Sequence, residues 1–279
     1  AVVLCIALGA GSAWAQAPAQ GLGLAAVGPV DPATGFALWY QDKAGVALEQ
    51  CLVSPIPGNP AIVGGDPCGL TGTIPQGDNT AVVFPDNFPG EFFYSRAVAV
   101  MDITGGGKAT LVHALEGAFA SGAPAAGQQI TFARFRVKVG PGLVIGETYK
   151  VTHPYGVNTF VATDNGLGSG EIRNVTVDDF NPLTSGNIGP FLQWNPADPT
   201  NGSPPAGYLG DPAVATTIIG SPYGTNVFRI QNAAGVVIGE TNLFTIWGKI
   251  FTGAVPSALT VDRTSYARNA SGTLVNVFA

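Results

Sequence analysis

The chain has 279 residues, of which 46% are hydrophobic and 11% charged, so it can bury a large core. Its 39 glycines and 22 prolines are typical of many short strands joined by tight turns and are unfavourable for helices. A formal net charge of −6 disfavours nucleic acid and anionic membranes as partners, because both attract basic surfaces. The composition indicates a globular all-β protein.

Residues 1–15 combine an apolar run with small residues and end in Ala13-Trp14-Ala15. This pattern is typical of the apolar region and cleavage site of a secretory signal peptide, and it predicts a secreted, extracellular or cell-surface location. Residues 16–23 predict a flexible linker, and no transmembrane segment is expected in the mature chain. Because the sequence starts without Met and without a cationic segment, we expect that its first residues are missing.

Removal of residues 1–15 takes away Cys5 and leaves Cys51 and Cys68 as an even pair in an oxidising compartment. The sequence therefore predicts a Cys51–Cys68 disulfide that closes a polar loop. A loop of this length corresponds to about 3 kcal/mol in the chain-entropy model. A zinc site is not expected, because neither histidine is close to these cysteines in the sequence.

A seven-residue pattern, Pro-Tyr-Gly-x-Asn-x-Phe, occurs at 154–160 and again at 222–228. Each copy is followed by a glycine-containing turn and a return strand, which predicts repeated antiparallel hairpins. Together with the composition, this repeat favours a β-sandwich with little helix, of an immunoglobulin-like, fibronectin III-like or jelly-roll-like type.

The small, uncharged segment at 120–128 is the best candidate for a linker between domains. We therefore expect one β-sandwich domain at 24–121, a second at 122–253 that carries both repeats, and the start of a truncated further β domain at 254–279. The segment 108–120 fits both helical and strand spacing, and strand is favoured because Gly117 is a poor helix residue. A change of apolar phase near Ala133 predicts a β-bulge.

Two aromatic-rich loops are candidate ligand-binding surfaces. They contain the aromatic residues Phe84, Phe88, Phe92, Trp194 and Tyr208. Exposed rings would form a platform for sugar rings, whereas buried rings would form a lid over the core, and the usual burial of aromatic residues favours the lid.

A cationic stripe is predicted on one strand, where Arg134, Arg136 and Lys138 alternate along one face. Such a stripe could meet a carboxylated polymer. The preferred interpretation is a solvated outer face whose charges discourage pairing at a sheet edge.

His153 alternates with tyrosines on one face of a predicted strand, which indicates a hydrogen-bonded core histidine rather than a ligand or base. Four residues could offer oxygens to Ca²⁺, but they match no calcium-loop spacing and turn chemistry explains the first two. These weak calcium candidates are Asp164, Asn165, Glu171 and Asp178. No metal and no cofactor are therefore predicted.

Signals of catalysis are sparse. The two histidines lie in different predicted strands and the chain has no G-x-S-x-G sequence, which makes a serine hydrolase improbable. A pair of carboxylates for glycoside hydrolysis is still open, because such pairs meet in space rather than in sequence. Asp178 and Asp179 do not act as one pair, since strand neighbours point to opposite faces.

Six segments carry a resemblance to known proteins: GFALWYQDKAG, FPDNFPGEFFYS, THPYG, GPFLQW, AGYLGDPAV and GSPYGTNVFRI. At these segments, and over about residues 30–279, the chain resembles uncharacterised secreted bacterial surface proteins with immunoglobulin-like repeats. The resemblance implies an exported surface or matrix protein and brings no catalytic residues. The sequence thus predicts a non-catalytic structural or adhesion module of a larger bacterial protein, with a polysaccharide or another surface protein as partner. A carbohydrate-binding module and a secreted hydrolase are the alternatives.

Overall fold

The computed structural model describes residues 23–53, 66–70, 73–75, 81–185, 187–255, 263–269 and 272–278. Within these residues the protein is almost entirely β-structure, as predicted, with one short helix, α1 (Pro182–Ser185). The segment 108–120 is a strand, which confirms the favoured interpretation. The predicted signal peptide and most of the predicted linker lie outside the described residues.

The strands follow in chain order. They are β1 (Leu24–Val27), β2 (Trp39–Asp42), β3 (Ala47–Glu49), β4 (Glu91–Asp102), β5 (Lys108–Phe119), β6 (Gln129–Leu143), β7 (Thr148–His153), β8 (Gly156–Val161), β9 (Thr163–Asp164), β10 (Gly170–Asp179), β11 (Gln193–Trp194), β12 (Thr216–Ile219), β13 (Phe228–Gln231), β14 (Val237–Thr241), β15 (Leu243–Trp247), β16 (Lys249–Ile250), β17 (Arg263–Asn269) and β18 (Gly272–Phe278).

One long sheet of eight strands has the order β11-β12-β15-β4-β5-β6-β10-β9. Two four-stranded sheets have the orders β1-β2-β3-β16 and β14-β13-β7-β8. Among the described strands, β17 and β18 form a sheet of two, within the segment predicted to begin a further domain. All described strand pairs are antiparallel, as expected for a chain built from hairpins.

The two short sheets cover the same face of the long sheet, and this arrangement makes the sandwich. Tyr94 of β4 contacts Tyr40 of β2 with 4.8 Å between ring centroids, and His113 of β5 contacts His153 of β7 at the same separation. Tyr94 and His113 both point to the inner face of the long sheet, because they keep the alternation of the core residues on their strands. One continuous core fills the space between the layers.

A β-bulge interrupts β4, whereas β6 is regular near Ala133. The register between β4 and β5 shifts between Phe93 and Ser95, and this shift keeps Tyr94 and Ala97 on the inner face. β6 pairs with β5 without interruption, so the bulge predicted near Ala133 is wrong. The apolar phase changes there because Phe132 lies on the outer face of the sheet, beneath the guanidinium of Arg134.

The predicted boundary between domains 24–121 and 122–253 falls inside a hairpin. β5 and β6 pair from Lys108↔Gly140 to Phe119↔Gln129, and the Ala120 amide donates to the Gln128 carbonyl at 2.8 Å. Both predicted domains also contribute to the same core. The two-domain division is therefore wrong for these residues: a small, uncharged segment is as suitable for a hairpin loop as for a linker, and its composition cannot tell the two apart.

The predicted disulfide is present between Cys51 and Cys68, whose Cα atoms are 5.2 Å apart. Both cysteines are fully buried in a small satellite cluster with Leu70, Ile74 and Tyr208. The Cys51 amide donates to the Phe93 carbonyl at 3.2 Å, so the disulfide attaches its loop to the beginning of β4. Loop residues 54–65 lie outside the described residues.

Candidate functional site

The two copies of the repeated pattern lie side by side at one end of the short sheet that contains β7 and β13. In each copy, the residue before the proline accepts a hydrogen bond from the tyrosine amide: Nδ1 of His153 from Tyr155 at 3.3 Å, and Oγ of Ser221 from Tyr223 at 3.2 Å. The hydroxyl of Ser221 also donates to the Pro154 carbonyl at 2.7 Å. The repeat therefore encodes two equivalent turns that are hydrogen-bonded to each other.

The asparagine of each copy contacts the residue before the proline, through its side chain in one copy and its backbone amide in the other. Oδ1 of Asn158 lies 2.8 Å from Nε2 of His153, and Oδ1 of Asn226 accepts from the Ser221 amide at 3.1 Å. The two copies differ in the path of the chain beyond them. β13 returns through a hairpin to β14 as predicted, whereas the chain after β8 leaves the short sheet and joins the long sheet through β9.

A cleft of about 360 Å³ opens between these turns and the inner face of the long sheet. Its floor is the histidine cluster, defined as His113, Phe135, His153 and Tyr155. Its other lining residues come from the two turns, from β6, from β10 and from the segment around α1: Ala133, Arg134, Gly156, Val157, Asn158, Val177, Asp179, Ser185, Asn187 and Tyr223.

The histidine cluster is packed by ring contacts. The ring of His153 lies 4.8 Å from that of His113 and 4.9 Å from that of Phe135, and Tyr155 meets His113 edge-on at 4.8 Å. Burial lowers the pKa of His153 to about 4, and burial and then the neighbouring His153 lower the pKa of His113. Both imidazoles are therefore neutral at pH 7.

Hydrogen bonds define the tautomer of His153 but leave one ring nitrogen of His113 without a partner among the described residues. Since Nδ1 of His153 accepts from an amide, its Nε2 carries the proton and donates to Asn158. Nε2 of His113 is buried and has no hydrogen-bond partner among the described residues. The prediction that His153 is a hydrogen-bonded core residue is thus confirmed, while no sequence pattern singled out His113.

Asp179 forms the rim of the cleft and is fully engaged. Its carboxylate accepts from the Asn181 amide at 2.9 Å, from Nδ2 of Asn187 at 3.2 Å and from the hydroxyl of Ser185. These donors fix the segment that follows β10 and hold Asn187 at the mouth of the cleft.

The predicted aromatic platform is not on the surface. Phe88 and Phe92 are at most 1% exposed, and Trp194 and Tyr208 are both 6% exposed. Phe84 is partly buried against the same core. The sugar-platform interpretation of these residues is therefore wrong, because the rings cover the core and anchor their loops to it.

The predicted cationic stripe lies on the outer face of the long sheet, but its first member is neutralised. Arg134 forms a two-point interaction with Asp178, with Nε–Oδ1 and Nη2–Oδ2 distances of 2.8 and 2.9 Å. Its Nη1 lies 3.1 Å from Glu91 and 2.7 Å from Glu116. Arg134 is therefore surrounded by three carboxyl groups and is not free to bind a polymer.

The other two cations of the stripe are more accessible. Arg136 donates to the hydroxyl of Thr176 at 3.0 Å, and Lys138 is exposed. Only part of the predicted stripe thus faces solvent, as a mixed row rather than a basic surface.

A buried acid on this outer face was missed by sequence reasoning. The side chain of Glu116 is 2% exposed, and burial followed by its neighbour Glu91 raises the pKa of Glu116 to about 9. Oε2 of Glu116 is close to Arg134 but not in hydrogen-bonding geometry. No sequence pattern signals this pair, since Glu91 and Glu116 meet only because β4 and β5 are neighbours.

The weak calcium candidates are used in other ways. Oδ1 of Asp164 accepts from the Gly166 and Gly168 amides, and Oδ1 of Asn165 accepts from the Leu167 and Ser169 amides. Glu171 pairs with Arg173 at 2.7 Å. Among the described residues no group of three or more potential metal-binding side chains is found. The turn interpretation of Asp164 and Asn165 accounts for their contacts.

No family model matches the chain, and no curated protein or solved structure is similar enough to count as a match. In the part of the chain that the structure describes, no helix is long and apolar enough to cross a membrane.

Proposed function

We propose that the chain is a non-catalytic structural or adhesion module of a larger secreted or cell-surface bacterial protein. The signal-like segment 1–15 and the resemblance to exported surface proteins support export. The Cys51–Cys68 disulfide is also typical of an oxidising compartment.

The observation that carries the proposal is that these ionisable groups are already held by neighbours within the protein. Arg134 is held by three carboxyl groups, Asp179 by three donors, and both ring nitrogens of His153 by an amide N–H and by Asn158. Catalytic acids and bases need access to a substrate, whereas these groups make internal contacts. This pattern favours a role in structure and attachment.

A hydrolase is the natural rival, because it needs two carboxyl groups of which one has a raised pKa. Glu91 and Glu116 satisfy the second condition, since burial raises the pKa of Glu116 to about 9. Access is the difficulty: the side chain of Glu116 is 2% exposed and points away from the cleft. The pair therefore fits a structural contact around Arg134 better than a catalytic dyad.

Surface display tests the proposal. Non-adherent bacteria that display the full chain should be retained several-fold better on surfaces coated with polysaccharide or surface protein than cells that display nothing. In parallel, purified chain should turn over chromogenic glycosides and esters no faster than its Glu91→Gln variant. Turnover that Glu91→Gln abolishes, or display without any gain in retention, would overturn the proposal.

A further inference from the structure

We infer that the cleft between the two Pro-Tyr-Gly turns and the long sheet binds a single neutral sugar residue. This inference rests on the proposed function, because it names the chemistry that an adhesion module would recognise. The site differs from the aromatic loops predicted from the sequence, and its two tyrosines come from the two copies of the repeat, Tyr155 and Tyr223.

The size of the cleft limits the ligand. Its volume of about 360 Å³ is at the small end of the range of about 300–1,000 Å³ that is usual for ligand sites. A small ligand of one or two rings suits this space better than a peptide segment or a polymer that runs through it.

The charges around the cleft disfavour an ionic ligand. His113 and His153 are neutral at pH 7, and the guanidinium of Arg134 lies on the other face of the sheet, because its neighbours Ala133 and Phe135 face the core. An anionic ligand would therefore lose its hydration without gaining a countercharge. A cationic ligand would have to displace the three donors that already occupy the oxygens of Asp179.

The free hydrogen-bonding groups match hydroxyls. Oδ1 of Asn158 accepts from His153, so the side-chain amide nitrogen of Asn158 can donate to a ligand. Nδ2 of Asn187 donates to Asp179, so the side-chain oxygen of Asn187 can accept from a ligand. The buried Nε2 of His113 also has no partner among the described residues, at the floor of the same cleft. A hydroxyl both donates and accepts, so a polyhydroxylated ring can satisfy a donor and an acceptor on opposite sides.

Apolar groups complete the match. Phe135, Tyr155 and Tyr223 line the cleft together with Val157 and Val177. A sugar presents C–H groups on its ring faces and hydroxyls on its edges, so it needs this mixture of rings and amides. A purely apolar ligand would leave Asn158 and Asn187 desolvated and unpaired.

Saturation-transfer NMR on the full chain tests the inference. The probes are the methyl glycosides of glucose, galactose, mannose and N-acetylglucosamine, with glucuronic acid and glucosamine as charged counterparts. We expect saturation transfer to at least one neutral glycoside, with a millimolar Kd, and none to the charged sugars. Dextran or galactomannan is then added as a competitor. Loss of the glycoside signal would indicate that the cleft binds the end of a neutral polymer, and an unchanged signal would indicate a free sugar.

A matched pair of variants locates the site. Val177 lines the cleft and is 53% exposed, whereas Val100 is 54% exposed on the outer face of the same sheet. Val177→Trp fills the cleft without removing a polar group and should weaken binding at least tenfold. Val100→Trp adds the same bulk elsewhere and should leave binding unchanged. Thermal unfolding of both variants confirms that they are folded.

Absence of binding to every neutral glycoside would overturn the inference, as would equal binding by Val177→Trp and the unchanged chain. Neither result would by itself remove the proposed function, because retention of displaying cells is measured separately. If Val177→Trp cells adhere as well as unchanged cells, adhesion uses another surface.

Discussion

The inner face of the long sheet is closed in two different ways. At one end lies the phenylalanine cluster, defined as Phe36, Phe84, Phe88, Phe92 and Phe119, whose rings interlock edge-to-face at separations such as 4.8 Å for Phe36 and Phe92. Nearer the middle of the same face lies the histidine cluster, whose rings make similar contacts but include imidazoles, and beside which the cleft opens. Similar ring packing can therefore serve stability in one region of a sheet and leave a polar opening in another.

The largest expected effect comes from emptying the phenylalanine cluster. Phe92→Ala removes a fully buried ring that contacts Phe36, Phe88 and Tyr94, and it should lower the free energy of unfolding by about 3–5 kcal/mol. Phe93→Ala is the matched neighbour, because Phe93 is half-buried on the outer face. It should cost about 1 kcal/mol. Urea unfolding of both variants checks the difference, and equal losses would show that the cluster does not dominate the stability.

The disulfide comes next, since it attaches its loop close to the phenylalanine end. Its cysteines are 17 residues apart, so Cys51→Ser with Cys68→Ser should lower the free energy of unfolding by about 3 kcal/mol. His153 belongs to the other short sheet, away from the disulfide. The imidazole NMR signals of His113 and His153 should therefore not move. The double variant should also be insensitive to reductant, unlike the unchanged chain. A shift of the imidazole signals would mean that the disulfide influences the packing of the histidine cluster.

The outer face offers a smaller contrast between two arginines of one strand. Arg134→Ala removes the two-point interaction with Asp178 and the cover over Phe132, and it should cost about 2–3 kcal/mol, less than a fully buried pair because the Arg134 side chain is 13% exposed. Arg136→Ala removes only a surface hydrogen bond to Thr176 and should cost less than about 0.5 kcal/mol. Chemical unfolding at one pH compares the two. If both variants lose the same stability, the carboxylates around Arg134 do not depend on it.

The strands were predictable where alternation was regular, as in β7, whose residues Tyr149, Val151 and His153 all face the core. β6 shows the limit of that reasoning. Phe132 is large and apolar yet lies on the outer face, where the guanidinium of Arg134 covers it at 4.8 Å. A pattern of apolar residues does not show that an arginine side chain shields an outward-facing phenylalanine from water. The bulge was predicted because Phe132 was assumed to face the core.

The candidate site was only half predictable. The repeat identified Tyr155 and Tyr223 as equivalent, and the structure brings both to one cleft. His113 and Asn187 carried no signal, because they reach the cleft through strand pairing and through the path of the chain after β10. The domain boundary failed for a different reason: β5 and β6 are consecutive strands, and the composition of the loop between them does not distinguish a hairpin turn from a linker.

The last contrast concerns the protonation of the histidine cluster. Burial lowers the pKa of His153 to about 4 in the folded chain, against about 6.5 when it is exposed, so the unfolded chain binds more protons between these values. The contribution of His153 to the free energy of unfolding is therefore fully present above pH 6.5 and is lost as the pH falls toward 4. From pH 7 to pH 5 the loss should be about 2 kcal/mol for His153, and His113, whose pKa is also lowered, should add a loss of the same sign.

His153→Gln isolates this contribution from those of the carboxylates. Glu116 acts in the opposite direction: because burial raises its pKa to about 9, it loses stability as the pH rises from 4.5 to 9. The difference between His153→Gln and the unchanged chain cancels Glu116 at each pH. The variant should be less stable at pH 7, because it loses the contacts with Phe135 and Asn158, and its loss of stability down to pH 5 should be about 2 kcal/mol smaller. If the free energy of unfolding depends on pH in the same way for both chains, His153 is not desolvated and the histidine cluster is open to water.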